Sequence, residues 1–135
     1  MVNSEYSKYL KNFNRNPPAS PSSLAAIQQV GGVPLPSDYL AFLAEVDGGE
    51  GFIGENYLML WRADELISFN QDNKKNQYAP GLFVIGSTGG GEAFAYDLAD
   101  PASPIVQVPF IPLDRECMEK VETSFLAFIK GLSET

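Results

Sequence analysis

The residues able to do chemistry in this chain are mainly carboxylates and aromatic rings, because histidine is absent and Cys117 is the only cysteine. The lack of histidine excludes the serine–histidine and cysteine–histidine catalytic systems. It also leaves zinc without its usual ligands, so we expect neither a transition metal nor a cofactor. Glu116 and Glu119 lie close to Cys117 in sequence and argue against a nucleophilic thiolate there. We therefore expect no catalytic residue of these kinds.

A glycine-rich stretch, residues 86–91 (Gly-Ser-Thr-Gly-Gly-Gly), is a candidate phosphate-binding loop. Such a loop needs a lysine that reaches the phosphates and a helix that opens behind it. Here Glu92 follows, whose carboxylate would repel phosphate, and an apolar run comes next. The pattern instead predicts a tight turn between two antiparallel strands, with at least one glycine at positive φ.

Carboxylate pairs are a second candidate, since two acids can together serve acid–base hydrolysis. Glu92 with Asp97, and Asp64 with Glu65, are such pairs on sequence alone, so a carboxylate-based hydrolase stays open as an alternative. Residues 47–50 (Asp-Gly-Gly-Glu) offer too few ligands for a calcium loop and predict a helix stop with a turn.

Acidic residues dominate the charge of the chain, with 17 acids against 9 bases and a net charge of −8. Between residues 38 and 65 the only base is Arg62, and the acids are Asp38, Glu45, Asp47, Glu50, Glu55, Asp64 and Glu65. Residues 92–122 show a similar excess of acids. Such a field repels nucleic acid and anionic lipid and attracts a basic partner. The alternative is that the acids only keep the protein soluble.

The single tryptophan, Trp61, ends an apolar run and precedes Arg62. Indole rings are enriched at binding hot spots, whereas a lone tryptophan in a small domain is more often part of the core. Core and partner contact both stay open for this residue.

Apolar spacing and capping residues predict a series of helices. In the first, Tyr6, Tyr9, Leu10 and Phe13 share one helical face, and Pro17 requires the helix to end before it. In the second, Ser20 is the cap, Pro21 the first helical position, and Gly31-Gly32 the stop. The predicted helices cover residues 6–13, 21–30, 37–46, 63–69 and 125–132.

Short β-rich runs between the third and last helices predict an antiparallel meander, because they are joined by short turns and not by long helical crossovers. The predicted strands cover residues 52–53, 57–61, 82–85, 93–96 and 105–108. The first two are separated by Gly54-Glu55-Asn56, which predicts a hairpin.

The order of helices, strands and a final helix predicts one α+β domain over residues 1–135, with a helix and linker at 1–16. A chain of this length with a hydrophobic fraction of 44% can form a core without disulfides or metal. The N-terminus lacks the order of a signal peptide, and no run of about 18 apolar residues occurs. We therefore expect a cytoplasmic protein that does not enter a membrane.

A set of short motifs follows in order along the chain. Residues 35–43 (LPSDYLAFL) precede Asp47-Gly48-Gly49. Later motifs are Trp61, residues 80–86 (PGLFVIG), 89–92 (GGGE), 96–97 (YD) and 124–128 (SFLAF). Together, over roughly residues 20–132, they resemble the SUKH superfamily, which unites fungal cell-wall-synthesis regulators with bacterial toxin-immunity proteins. Asp47 departs from the pattern, since the family often has asparagine at that place.

The resemblance implies a bent antiparallel sheet with N-terminal helices and a C-terminal helix packed against it, and a non-enzymatic role. Our leading hypothesis is an immunity protein whose acidic face binds a basic toxin domain, for which a nuclease is one candidate. The alternatives are a regulatory scaffold with several protein partners and, less favoured, the hydrolase. The expected partner-binding residues are Asp47, Glu50, Glu55, Tyr57, Trp61, Asp64 and Glu65.

Overall fold

The computed structural model describes residues 4–30, 34–71 and 77–134. The helices are α1 (Ser4–Ser7), α2 (Pro21–Val30), α3 (Ser37–Glu45), α4 (Ala63–Asn70) and α5 (Phe125–Glu134). The strands are β1 (Asn12–Arg15), β2 (Gly49–Ile53), β3 (Asn56–Leu60), β4 (Leu82–Ser87), β5 (Glu92–Asp97), β6 (Ile105–Pro109) and β7 (Glu119–Glu122), and a 3-10 turn covers Arg115–Cys117. Within the described ranges, no helix has both the length and the apolar character needed to cross a membrane.

The described strands form one seven-stranded antiparallel sheet in chain order, β1 to β7. This confirms the predicted α+β class and the meander. Register shifts between Val84 and Gly86, and between Ile105 and Val106, are bulges that bend the strands locally.

Almost every residue of the central strands β4 and β5 is buried. Because successive side chains of a strand point to opposite sides, both faces of these strands are covered. On one face the helices pack, and the rings of Phe42 and Phe125 lie 4.8 Å apart within that core. A smaller apolar cluster fills the opposite face, with residues that come from loops and α4 packed against it: Trp61, Phe69, Phe110, Leu113 and Met118. The sheet therefore carries two cores of unequal size.

Helix α4 is attached to the edge of β4 by a buried amide. The side chain of Asn70 donates to the Val84 carbonyl at 3.0 Å and accepts from the Val84 N–H at 2.8 Å. Strand β3 pairs with β4 only at Met59 and Leu60, opposite Ser87 and Gly86. The backbone groups of Val84 therefore bond to the side chain of Asn70 and not to β3. The amide thus replaces a strand partner over one residue.

Polar side chains hold the helix starts. The Ser20 hydroxyl accepts from the Ser23 N–H at 3.2 Å, as the predicted cap of α2 requires. Asp38, in the first turn of α3, accepts from the Phe125 N–H at 2.9 Å and so fixes the start of α5. The predicted stop at Gly31-Gly32 lies outside the described residues.

The motif that carries the resemblance is structural in this fold. Leu35, Tyr39 and Phe42 are buried in the larger core. Gly48 has a φ of +75°, and a Cβ there would lie 2.5 Å from the Leu60 carbonyl oxygen. Only glycine fits this approach, which brings the end of α3 against β3.

The predicted first helix is wrong beyond Ser7. Residues 12–15 form the edge strand β1, which pairs with β2, so residues 1–16 are not simply a helix and linker. Tyr6, Leu10 and Phe13 are all buried as expected, but the spacing that suggests one helical face is produced by a short helix, a turn and a strand. Strand β7 was not predicted either.

The glycine-rich stretch is confirmed as a turn between β4 and β5. The Thr88 N–H donates to the Glu92 carbonyl at 3.0 Å, and Gly89 and Gly91 have φ of +81° and +96°. A strand follows the loop, so the helix that a phosphate-binding loop needs is missing from this position.

Candidate functional site

Two clefts meet where the outer face of the β2–β3 hairpin reaches the start of α4. The Tyr57 cleft has a volume of about 450 Å³ and is lined by Asn14, Asn16, Gly49, Glu50, Tyr57, Met59, Leu60, Trp61, Arg62 and Glu65. The Phe69 cleft has a volume of about 560 Å³ and is lined by Trp61, Asp64, Glu65, Ser68 and Phe69. Trp61 and Glu65 line both, so the clefts adjoin at these two side chains.

The hairpin supplies an exposed aromatic pair and a carboxylate. Strand alternation points Glu50, Phe52 and Tyr57 outward while Leu58 is buried. Phe52 is 50% exposed and Tyr57 37% exposed, and their rings meet edge to face at 5.2 Å. The Tyr57 hydroxyl donates to the Glu50 carboxylate, and this bond raises the pKa of Tyr57. The bond holds Glu50 at the mouth of the Tyr57 cleft.

Trp61 is both a core residue and a cleft wall. Its ring lies 4.8 Å from that of Phe69 and 6.3 Å from that of Phe110, within the smaller core. The Trp61 N–H donates to the Ile85 carbonyl at 3.1 Å, which fixes the backbone. The side chain is half-buried, and its remaining surface lines both clefts. Trp61 therefore packs in the core as one interpretation expects, and its contact with a partner stays a prediction.

The start of α4 concentrates charge. Arg62 Nε lies 3.1 Å from Asp64 Oδ1 and 3.9 Å from Glu65 Oε1, and the hydrogen bond from Arg62 lowers the pKa of Asp64. Glu65 also accepts from the Arg62 N–H at 3.0 Å and closes the first turn of the helix. All three side chains are at least half exposed, so solvent screens their attraction. These contacts mainly set the orientation of the groups.

Asp47 fixes the start of α4, the helix that carries Asp64 and Glu65. It follows α3, and its Oδ1 accepts from the Ala63 N–H at 2.8 Å, at the first residue of α4. Burial raises the pKa of Asp47, and the bond from Ala63 opposes that rise. An asparagine oxygen can accept the same bond, so the departure from the family pattern keeps the helix cap.

Glu55 is the predicted site residue that the structure separates from the others. It lies in the turn between β2 and β3, at the far end of the hairpin from Glu50. The strand from Glu50 to Ile53 alone rises about 10 Å, and the turn carries Glu55 beyond its end. Five of the predicted site residues line the two clefts: Glu50, Tyr57, Trp61, Asp64 and Glu65. Asp47 supports the start of α4 without lining either cleft, and Glu55 lines neither of them.

The sequence interpretation missed cleft residues that come from β1 and from the second turn of α4. Asn14 pairs with Glu50 across β1 and β2, and the Asn16 side chain donates to the Asp47 carbonyl at 3.1 Å. The sequence predicts Phe69 only as the end of a short helix. The alternation of Asn12, Phe13 and Asn14 is the signal that could have indicated a strand at this edge.

The alternative chemistries find little support in this geometry. Glu92 and Asp97 lie at opposite ends of β5, about 16 Å apart along the strand, which is too far for the two acids to act on one bond. Asp64 and Glu65 both contact Arg62. Over the described residues, there is no group of three or more potential metal-ligating side chains.

The second acidic region, residues 92–122, is used largely within the fold. Asp97 forms a bidentate ion pair with Arg115, in which the two terminal guanidinium nitrogens donate to the two carboxylate oxygens at 2.8 and 2.9 Å. Asp114 accepts from the Glu116 N–H at 2.9 Å and caps the 3-10 turn. Asp97 and Asp114 are therefore committed to internal contacts, and Asp97 is also buried, whereas the carboxylates around the two clefts are exposed.

Residues 18–131 match the sequence model of the SMI1 / KNR4 family (SUKH-1). No curated protein matches the chain.

Proposed function

Because this chain belongs to the SMI1 / KNR4 family (SUKH-1), we propose that it is a non-enzymatic protein-binding module, and specifically an immunity protein that neutralises a cognate bacterial toxin. Family membership is consistent with a toxin-immunity role and with a regulatory one. The surface chemistry of the two clefts favours a basic protein as the partner.

One observation carries the proposal. The two clefts gather the carboxylates of Glu50, Asp64 and Glu65 beside the rings of Tyr57 and Trp61. Arg62 is the only base among the described residues that line the clefts, so negative charge is in excess. Carboxylates steer a positively charged partner toward this surface, and aromatic side chains provide the desolvated contact that retains it.

A basic toxin domain fits these requirements. An enzyme that acts on nucleic acid needs a positive surface to hold phosphate, and a row of carboxylates can occupy that surface in place of phosphate. Binding of this kind blocks substrate access and requires no chemistry from the inhibitor. The exposed pair Phe52 and Tyr57 would extend the contact along the hairpin.

The proposal is tested by affinity capture from the source cells, identification of the partner by mass spectrometry, and co-expression of the two proteins. We expect one basic protein, whose toxicity to cells is suppressed by the wild-type chain. Several unrelated partners without toxicity would favour the regulatory scaffold. Hydrolytic turnover that is lost on changing one carboxylate, with no partner captured, would contradict a binding module.

A further inference from the structure

The Tyr57 cleft has the composition of a cation-binding site. Tyr57 and Trp61 supply π faces, and Glu50 and Glu65 supply carboxylates on the same walls. A ring face attracts a cation through its quadrupole, and the attraction grows as the cation leaves water. Its volume, about 450 Å³, lies in the range of pockets that enclose a small organic group.

The chain already demonstrates that this surface accepts a guanidinium. Arg62 Nε lies 3.1 Å from Asp64 Oδ1 and 3.9 Å from Glu65 Oε1. This single cation lies toward Asp64, whereas the Glu50 carboxylate accepts its hydrogen bond from the neutral Tyr57 hydroxyl. The lining of the Tyr57 cleft holds two carboxylates, Glu50 and Glu65, against the one base Arg62, whose nearest carboxylate is Asp64 in the adjoining Phe69 cleft, so a second cation would meet an excess of negative charge.

We propose that the Tyr57 cleft binds an arginine side chain presented by the partner protein, with its guanidinium between Glu50 and Glu65 and stacked on Trp61. Arginine suits the site better than lysine, because a planar guanidinium can stack on an indole while its N–H groups reach carboxylates on two sides. This inference rests on the proposed function and deepens it, since it names the group of the partner that is recognised.

Trp61 makes the site directly observable. It is the only tryptophan in the chain, so intrinsic tryptophan fluorescence reports on the two adjoining clefts that Trp61 lines, and the variants below assign the response to the Tyr57 cleft. The probes are two short peptides, hexa-arginine and hexa-lysine, added to the full chain. Any acidic protein attracts such peptides, so the variants must separate a site from the overall field.

The test variant is Glu50→Gln/Glu65→Gln, in which each glutamine oxygen can still accept the hydrogen bond from Tyr57 or from Arg62. The matched control is Glu116→Gln/Glu119→Gln, which removes the same charge from two exposed positions near β7. Thermal unfolding confirms that both variants fold.

We expect hexa-arginine to shift Trp61 fluorescence at lower concentration than hexa-lysine does, and the test variant to weaken the arginine response by about threefold or more. The control should change it far less. An unresponsive Trp61, or equal weakening in both variants, would overturn the arginine site. The proposed function would still stand if capture yields a toxin that the chain neutralises, so the two failures are distinguishable.

Discussion

Individual carboxylates in this protein divide into structural and available groups, although they look alike in the sequence. Asp38 and Asp47 accept backbone N–H groups at the starts of α5 and α4. Asp97 is 4% exposed and pairs with Arg115. Glu50 and Glu65 also accept hydrogen bonds, from the Tyr57 hydroxyl and the Arg62 N–H, but both side chains are exposed at the Tyr57 cleft. The net charge therefore overstates the number of acidic side chains that are available to a partner.

The Asp97–Arg115 pair should make stability depend on pH. The hydrogen bonds from Arg115 hold the pKa of Asp97 below its ordinary value of 3.8. Its contribution is therefore complete above that pH and is lost as pH falls through the lower, folded-state pKa. We expect Asp97→Asn to lower the free energy of unfolding at pH 7 by about 2 kcal/mol, because it leaves Arg115 without its charge partner.

Urea denaturation at a series of pH values measures this effect. The variant should lose less stability than the wild type between about pH 4 and pH 2, since the group responsible no longer titrates. Glu119→Gln, at an exposed position in β7, is the control. Parallel pH profiles for wild type and Asp97→Asn would contradict a stabilising ion pair.

Tyr39 carries a buried hydroxyl that has no hydrogen-bond partner in the described part of the protein. Its ring lies 5.3 Å from those of Tyr96 and Phe125. We expect Tyr39→Phe to leave stability unchanged or to raise it by up to about 1 kcal/mol, because an unpaired hydroxyl is costly to bury. A loss of more than about 1 kcal/mol in urea denaturation would reveal a bond that the hydroxyl makes.

At the scale of elements, local signals predicted the segments whose boundaries are marked by capping residues, prolines and glycines. Ser20 and Pro21 mark the start of α2, and the turn at Gly54-Glu55 joins β2 to β3 as expected. The edge strands β1 and β7 have only four residues each, so their alternation is too short to distinguish from other patterns. The pairing of β1 also depends on β2, which lies far away in sequence, and β7 pairs with β6 across the intervening segment 110–118.

The attachment of α4 to β4 could not be read from the sequence, because it depends on one buried amide. Asn70→Ala would leave both the N–H and the carbonyl of Val84 without their side-chain partner. We expect a loss of about 2 kcal/mol in the free energy of unfolding. The control is Gln71→Ala, at the exposed neighbouring position. Equal denaturation midpoints for the two variants would show that the hydrogen bonds between Asn70 and Val84 do not stabilise the fold.

The site was predictable where it follows the hairpin and unpredictable where it depends on long-range pairing. The run of acids between residues 38 and 65 and its aromatic neighbours group Glu50, Tyr57 and Trp61 in the sequence, and the hairpin places all three at one cleft. Asn14 enters through the pairing of β1 with β2, and Glu55 is excluded because it lies at the hairpin tip. Sequence proximity among acids is therefore a poor guide to which of them share a surface.

At the scale of the whole molecule, the fold presents an acidic and aromatic surface around the two clefts. The sheet, α3 and Asp47 fix the start of α4, and the hairpin fixes Glu50 through Tyr57. Electrostatic attraction between these carboxylates and a basic partner should then act mainly on the association rate, whereas the contacts of Tyr57 and Trp61 should act mainly on the dissociation rate. Salt should weaken the first effect, since the Debye length is about 8 Å in physiological buffer.

The association rate of the captured partner, measured across a series of salt concentrations, tests this claim most directly. For Glu50→Gln/Glu65→Gln we predict association slowed by about threefold or more at low salt, a smaller change in dissociation, and a difference that shrinks as salt rises. Glu116→Gln/Glu119→Gln should stay close to wild type. An association rate indifferent both to salt and to the removal of Glu50 and Glu65 would contradict recognition through the two clefts.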